Sequence, residues 1–428
     1  MLKPFMEIEN WDSVGLSVEE SAKRLQRIAY VDRQLMRIEA GHMIARPEYE
    51  IKGALGRMVW QDASHYDQFR NRCKQLRMST VAFDKCPDAG LQRAMAKLLD
   101  STSTLSLLKA TFEVVKPLQI EAIKAYITQA QPIADNPTIH MLRHQLIDRE
   151  EQVRWGLEAI RAIDEQANEE ERAHANKWKA CMQDYLLAAG GMDGRGDRKE
   201  LDPSLEVASV SFQLPEESTR DRRFKKTVVK YPDLTFEDSD AGRFKRMMFT
   251  RFNEMSPAEA VACIHFSSEG KPWLFYYDTA RHLWDEIRHS WFGEAALRKQ
   301  GYNIYQPSNW TGWYDMTKNM FSIEEAYTHL TIAIEKAAMK YPPGKREEWE
   351  FCRDVVKDPL MTTFQDFDWA DEVVHAGFGQ KWVVEQQYNG DIIKAQQAAD
   401  LTSKMREDFM ASYTNGGKET KSNFAGDY

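Results

Sequence analysis

An acidic residue followed three positions later by histidine occurs at five of this chain's ten histidines: Glu39/His42, Asp62/His65, Glu171/His174, Glu286/His289 and Glu372/His375. A helix advances 100° per residue, so each pair aims a carboxylate and an imidazole from one face at one point. Chance supplies roughly one such match in a sequence of this composition. Two helices carrying the motif, with one glutamate from each of two more, can enclose a pair of divalent cations with six protein ligands.

The surrounding sequence has the period of helices. Apolar residues recur at three- and four-residue spacing, with few internal Gly or Pro, over residues 18–45, 54–76, 105–129, 138–166 and 168–188. The same texture returns over 240–266, 273–299, 322–340 and 363–387. Strand signals are confined to 205–214 and 226–229, a short hairpin at most. Residues 190–239, with GGMDGRGDRKELDP and dense charge, read as an irregular linker. Its basic stretch, 220–230, reads as solvated linker rather than an anion site. Residues 392–428 read as a last helix and, after Thr414, a mobile tail.

The two halves look like copies of one helical unit. Trp60, Asp62 and His65 mirror Trp284, Glu286 and His289. Ile120-Glu121 mirrors Ile334-Glu335, Glu151 and Arg154 mirror Glu372 and His375, and Glu39-Ala40 can be set against Glu259-Ala260. The expected organisation is all-α: two four-helix bundles in tandem, residues 1–189 and 240–391, joined by the irregular linker.

The second copy supplies a full ligand set: Glu259 on its first helix, Glu286 and His289 on the second, Glu335 on the third, Glu372 and His375 on the fourth. Glu254 is an alternative to Glu259, and Glu324 and Glu325 compete with Glu335. Asp285 and Asp371 each precede a ligand glutamate and are candidate partners for a ligand histidine. His282, two helical turns before His289, faces the same side and is a candidate supporting residue. The first copy departs from the pattern, since a guanidinium at Arg154 cannot ligate a metal. A buried ion-pair network among Arg154, Asp62, Glu121 and Glu151 is expected there, with a single metal held by His65, Glu39, Glu121 and Asp62 as the other reading. Glu171/His174 sits in the charged run ANEEERAHANKW and reads as a solvated face; Glu39/His42 stays open. His140, His144, His265 and His329 read as satisfied core or surface groups. Tyr276, Tyr277 and Trp284 lie near the second motif helix and are candidates for electron transfer.

The DEIRH and DEVVH motifs, with Glu335 in IEKA between them, resemble the ferritin-like di-iron carboxylate superfamily. The resemblance covers residues 240–387 well and 18–166 weakly. It implies metal-ligand roles for Glu259, Glu286, His289, Glu335, Glu372 and His375, two iron ions as cofactor and O₂ as co-substrate; a manganese–iron pair suits the same ligands. The expected activity is that of an O₂-dependent oxygenase or oxidase acting on a small organic substrate. A non-catalytic, metal-stabilised scaffold or interaction protein is the alternative. No dinucleotide fingerprint is present, so electrons are expected from a separate reductase, the substrate or a co-substrate. A homodimer is one admissible assembly.

Composition narrows the remaining classes. The 428 residues are 43% hydrophobic and 29% charged, with a net charge of −9, which argues against nucleic acid as a general partner. There is neither a basic-then-apolar leader nor an apolar run of membrane-spanning length. Cys73, Cys86, Cys181, Cys263 and Cys352 are scattered and odd in number, which reads as free thiols in a reducing cytoplasm.

Overall fold

The computed structural model describes residues 2–414, so the expected mobile tail lies outside the described residues. The fold is all-α. Two long helices, Val18–Ala45 and Trp273–Lys299, begin and end where the apolar periodicity does. The others follow it closely, including Tyr49–Gln75, Asn136–Gln166, Glu169–Ala188 and Pro359–Phe378. Local chemistry fixes several ends. Ser239 and Asp358 cap their helices by accepting backbone N–H groups from Gly242 and Met361, and Ser322 with Glu325 forms a reciprocal capping box. Among the described residues, no helix is long and apolar enough to cross a membrane.

Three departures from the sequence pattern bear on function. The expected helix over 240–266 is broken into Asp240–Phe252 and Met255–Ser267, with Asn253 and Glu254 at the break. Four stretches, Thr111–Val115, His329–Glu335, Phe351–Val356 and Gly379–Gln387, are wound with the wider π spacing, which is frequent beside functional sites. The expected hairpin does not form. Lys226–Thr227 pairs instead, in parallel, with the distant Asn309–Trp310, and residues 205–214 form no strand.

The chain divides into two compact units, Met1–Glu39 with Gln61–Gln213 and Ala40–Trp60 with Leu214–Tyr428. The boundary therefore crosses two helices, and the 40–60 turn belongs with the later unit rather than with residues 1–189 as expected. Two glycines explain why. A Cβ on Gly53 would stand 2.9 Å from the Trp291 ring, and one on Gly56 2.9 Å from Ile287, so both allow close approach to the Trp273–Lys299 helix. All five cysteines are free thiols, four of them buried.

A third glycine locks the helix break in place. A Cβ on Gly293 would fall 2.0 Å from the backbone nitrogen of Phe252, and Ser290 Oγ donates to the Phe252 carbonyl at 2.9 Å. Gly293→Ala is expected to lower stability by about 1–3 kcal/mol or more, because backbone must move. Gly377, with nothing within 4 Å of its Cβ position, is the control. Gly377→Ala should raise stability by roughly 0.5–1 kcal/mol through helix propensity. Urea denaturation of the two variants checks the opposite signs.

Candidate metal centre

In the later unit, three helical stretches and one helix break bring acidic and imidazole groups to one dry place. His282, Glu286 and His289 project from Trp273–Lys299, while Asp368, Glu372 and His375 project from Pro359–Phe378. Glu335 ends the π-wound stretch, and Glu254 stands at the break before Met255–Ser267. Their ligand-type atoms form three overlapping groups: His282, Glu286, Glu335 and His375; Glu286, His289 and Glu372; and Glu254, His289 and Asp368. Within each group the atoms lie within 4.8 Å of one another, and all are buried apart from the half-buried Glu254.

Each peripheral side chain is anchored by one atom and leaves the other unpaired. Arg251 holds Glu254 Oε1 at 2.7 Å, His282 holds Glu335 Oε1 at 2.7 Å, and Lys345 holds Glu372 Oε1 at 3.0 Å. The Oε2 atoms of all three glutamates are buried without a hydrogen-bond partner. The histidines repeat the arrangement. His289 Nε2 pairs with Asp371 at 3.2 Å and His375 Nε2 with Asp285 at 3.2 Å, while both Nδ1 atoms are unpartnered. These Nδ1 atoms stand 3.9 and 3.7 Å from Glu286 Oε1. Five buried ligand-type atoms in these overlapping groups thus have no partner of their own, and two of them face the Glu286 carboxylate.

The histidine partners are exchanged between helices: each aspartate preceding a motif glutamate serves the histidine of the other motif. Arg281 and Arg288 tie the two aspartates together. Arg281 reaches Asp285 at 2.8 Å and Asp371 at 3.2 Å, and Arg288 reaches Asp371 at 2.7 Å and also Asp285. Burial would raise the Asp285 carboxyl, but His375, Arg288 and Arg281 outweigh it and hold it well below the usual range.

The field inside the cluster is strong. Burial pushes Glu254 up to about 8 and raises Glu372. Glu335, beside His282 and His375, is held down at about 2 against the opposing effect of burial. Burial would lower both histidines, yet the charges of Asp368, Glu286 and Glu254, with the Asp371 hydrogen bond, lift His289 to about 9. His375 is lifted well above its ordinary value by Asp285 and Glu335. In the absence of a metal, protons and the fixed charges of Arg251 and Lys345 carry the compensation. A cavity of about 30 Å³ adjoins Glu254, Glu286, Glu335 and Glu372, walled on its apolar side by Pro257, Trp310, Trp313, Leu330 and Ile334.

Five of the six expected ligands meet here: Glu286, His289, Glu335, Glu372 and His375. Glu259 does not. It is fully buried elsewhere, clamped by Arg220 at 2.6 and 3.0 Å and by Lys52 at 2.9 Å. Glu254, five residues earlier, takes the first-helix place. Five residues turn a helix by about 140°, so the two glutamates cannot serve one point. Arg220, from the stretch expected to be solvated linker, is a core residue.

The expected network of the first unit is also differently built. Glu121 and Arg154 are exposed and line a surface groove. The central cation is Lys116, whose Nζ lies 2.9 Å from Asp62, 3.2 Å from Glu39 and 2.9 Å from Gln152. Arg149 grips Asp32 with two bonds of 2.8 Å, and His65 Nε2 pairs with Asp148 at 3.1 Å. Burial raises the Glu39 carboxyl well above its ordinary value. Asp32 and Asp62 are thus each matched by a cation, while Asp32, Asp62 and His65 also bring ligand-type atoms within 4.8 Å of one another, and His65 Nδ1 has no hydrogen-bond partner. Two buried cations in a unit of helices carry no warning in the local sequence; only mutual position reveals them.

The Glu259 clamp generates a prediction. Burial alone would raise Glu259, but Arg220 and Lys52 hold it below its ordinary value of 4.5. Its contribution is therefore complete above about 4.5 and is lost as pH falls through the lower folded-state value. Glu259→Gln strands two buried cations and should cost about 3–5 kcal/mol at pH 7. The difference from wild type, followed by urea denaturation, should shrink in acid. No family model, curated protein or solved structure matches this chain, so the centre is read from its own geometry.

Proposed function

We propose that the later unit is a ferritin-like four-helix bundle holding two iron ions, and that the protein is an O₂-dependent di-iron oxygenase or oxidase acting on a small organic substrate. The observation that carries this reading is the set of five unpartnered buried atoms: Glu254 Oε2, Glu335 Oε2, Glu372 Oε2, His289 Nδ1 and His375 Nδ1. An unpaired buried polar atom costs about 1–3 kcal/mol, so five within overlapping ligand groups call for a ligand. Four carboxylates and two imidazoles suit iron or manganese, and the set contains no thiolate.

Glu254, Glu286, His289, Glu335, Glu372 and His375 would hold the metals, with Glu286 between them. A bound ferrous pair supplies the electrons with which dioxygen is reduced. The chain's own side chains do the rest. Asp285 and Asp371 fix the imidazole orientation through Nε2 and present Nδ1 inward. Arg251 and Lys345 each hold one oxygen of a glutamate, which favours binding through the other. Pro257, Trp310, Trp313, Leu330 and Ile334 give the adjoining cavity an apolar wall, and its size suits a diatomic molecule or a water. The first unit, with Lys116 where a cation is needed, is in this reading a duplicate that has exchanged metal for an ammonium group.

The test is metal analysis with optical spectroscopy. Aerobic ferrous iron should load about two equivalents per chain and develop an oxo-bridged ferric band. Glu286→Ala and His375→Ala should abolish dioxygen consumption while far-ultraviolet circular dichroism is retained. One inert zinc with no response to O₂ would instead mark a structural scaffold and end the enzymatic reading. Asp371→Asn, which weakens the support of His289, should lower metal affinity about 10–100-fold, measured by chelator competition.

A further inference from the structure

We propose that the two metal positions are inequivalent and load in order: first a position made by His282, Glu286, Glu335 and His375, then one made by Glu254, Glu286, His289 and Glu372. His282 is in this scheme a seventh ligand and a third imidazole. The inference rests on the two-metal reading above and adds its order and its asymmetry.

Three observations carry it. First, His282 is fully buried, and its Nε2 lies 2.7 Å from Glu335 Oε1 and 3.7 Å from Glu286 Oε1. His375 Nδ1 is 3.6 and 3.7 Å from the same two oxygens. Ligands at about 2.0–2.1 Å from one ion stand roughly 3–3.4 Å apart, so both imidazoles already sit near the edges of one coordination shell. The four ligand atoms form a closed group within 4.8 Å. Binding a cation there would exchange the His282–Glu335 hydrogen bond for two metal bonds, with the ring proton of the neutral imidazole carried on Nδ1, which has no other partner.

Second, the carboxylates of the other position are themselves paired with fixed positive charge. Lys345 Nζ lies 3.0 Å from both Glu372 and Asp368, and Arg251 lies 2.7 Å from Glu254 and 2.6 Å from Asp368. A metal held by Glu254 and Glu372 shares those carboxylates with two permanent cations, and repulsion in a dry site is strong. Glu335 and Glu286 lie instead against His282 and His375. Third, the donor sets differ: two imidazoles and two carboxylates against one imidazole and three carboxylates. Nitrogen-rich sites favour zinc, iron and cobalt, whereas oxygen-rich ones suit manganese.

The experiment is a Zn²⁺ titration of the metal-free full-length chain against a competing chelator, followed by metal analysis. Two steps of one equivalent each are expected, the first tighter. One equivalent of Zn²⁺ with excess Mn²⁺ should give a chain holding one of each. His282→Ala should weaken the first step about tenfold or more, and Lys345→Met should tighten the second. His282→Gln keeps a hydrogen-bond donor for Glu335 but should behave as His282→Ala. A single two-equivalent step in wild type overturns the proposal, as does a Gln variant that binds like wild type; both leave the two-metal reading standing. Failure of folded wild-type protein to bind a pair at all overturns that reading as well. The Zn²⁺/Mn²⁺ partition in wild type tests the asymmetry even where a variant does not fold.

Discussion

Carboxylates buried out of water must find positive charge or give up their own, and this requirement shapes both units. An isolated ion costs several kcal/mol to bury even after relaxation. The first unit meets the demand with Lys116 on Asp62 and Glu39 and Arg149 on Asp32. The later unit gathers Glu254, Glu286, Glu335, Glu348, Asp368 and Glu372 around Arg251, Lys345 and three histidines. Its cations grip the outer oxygens and leave the inner ones bare. The two units therefore answer one electrostatic problem with different numbers of cations and imidazoles.

The exchanged histidine partners do more than orient rings. Because His289 pairs with Asp371 and His375 with Asp285, the Trp273–Lys299 and Pro359–Phe378 helices are pinned to each other at two points. Arg281 and Arg288 bridge the same two aspartates from outside. A slide of one helix by a single residue would turn its motif by 100° and break both pairs together. The ligand geometry and the helix register are thus one constraint, and the two Asp-Glu-x-x-His strings encode it.

That encoding explains what could be read in advance. Glu286, His289, Glu372 and His375 lie on two uninterrupted helices, where spacing alone sets the face, and the structure brings them together. Helix extents were equally legible, since apolar period and caps are local. Glu259 was misplaced because the break at Asn253–Glu254 depends on Gly293 and Ser290 of another helix. Matching the halves by residue identity set Glu121 and Arg154 against ligands, yet both face solvent while Lys116 and Gln152 point inward. Sequence spacing fixes which residues share a face; it does not fix which face is buried. Lys52, Arg220, Arg251 and Lys345 were invisible for the same reason, as a buried cation is legible only beside its acid.

The π-wound stretches show how the last of the geometry is set. A π turn takes an extra residue, so the residues after it are rotated relative to a regular helix. His329–Glu335 ends on the proposed ligand Glu335, and the Gly379–Gln387 stretch begins against it: a Cβ on Gly379 would stand 2.8 Å from Thr331. Neither stretch is favoured by its own hydrogen bonding, so packing must hold both. The phase that aims Glu335 at Glu286 is consequently a tertiary property, set where two irregular helices touch at a glycine.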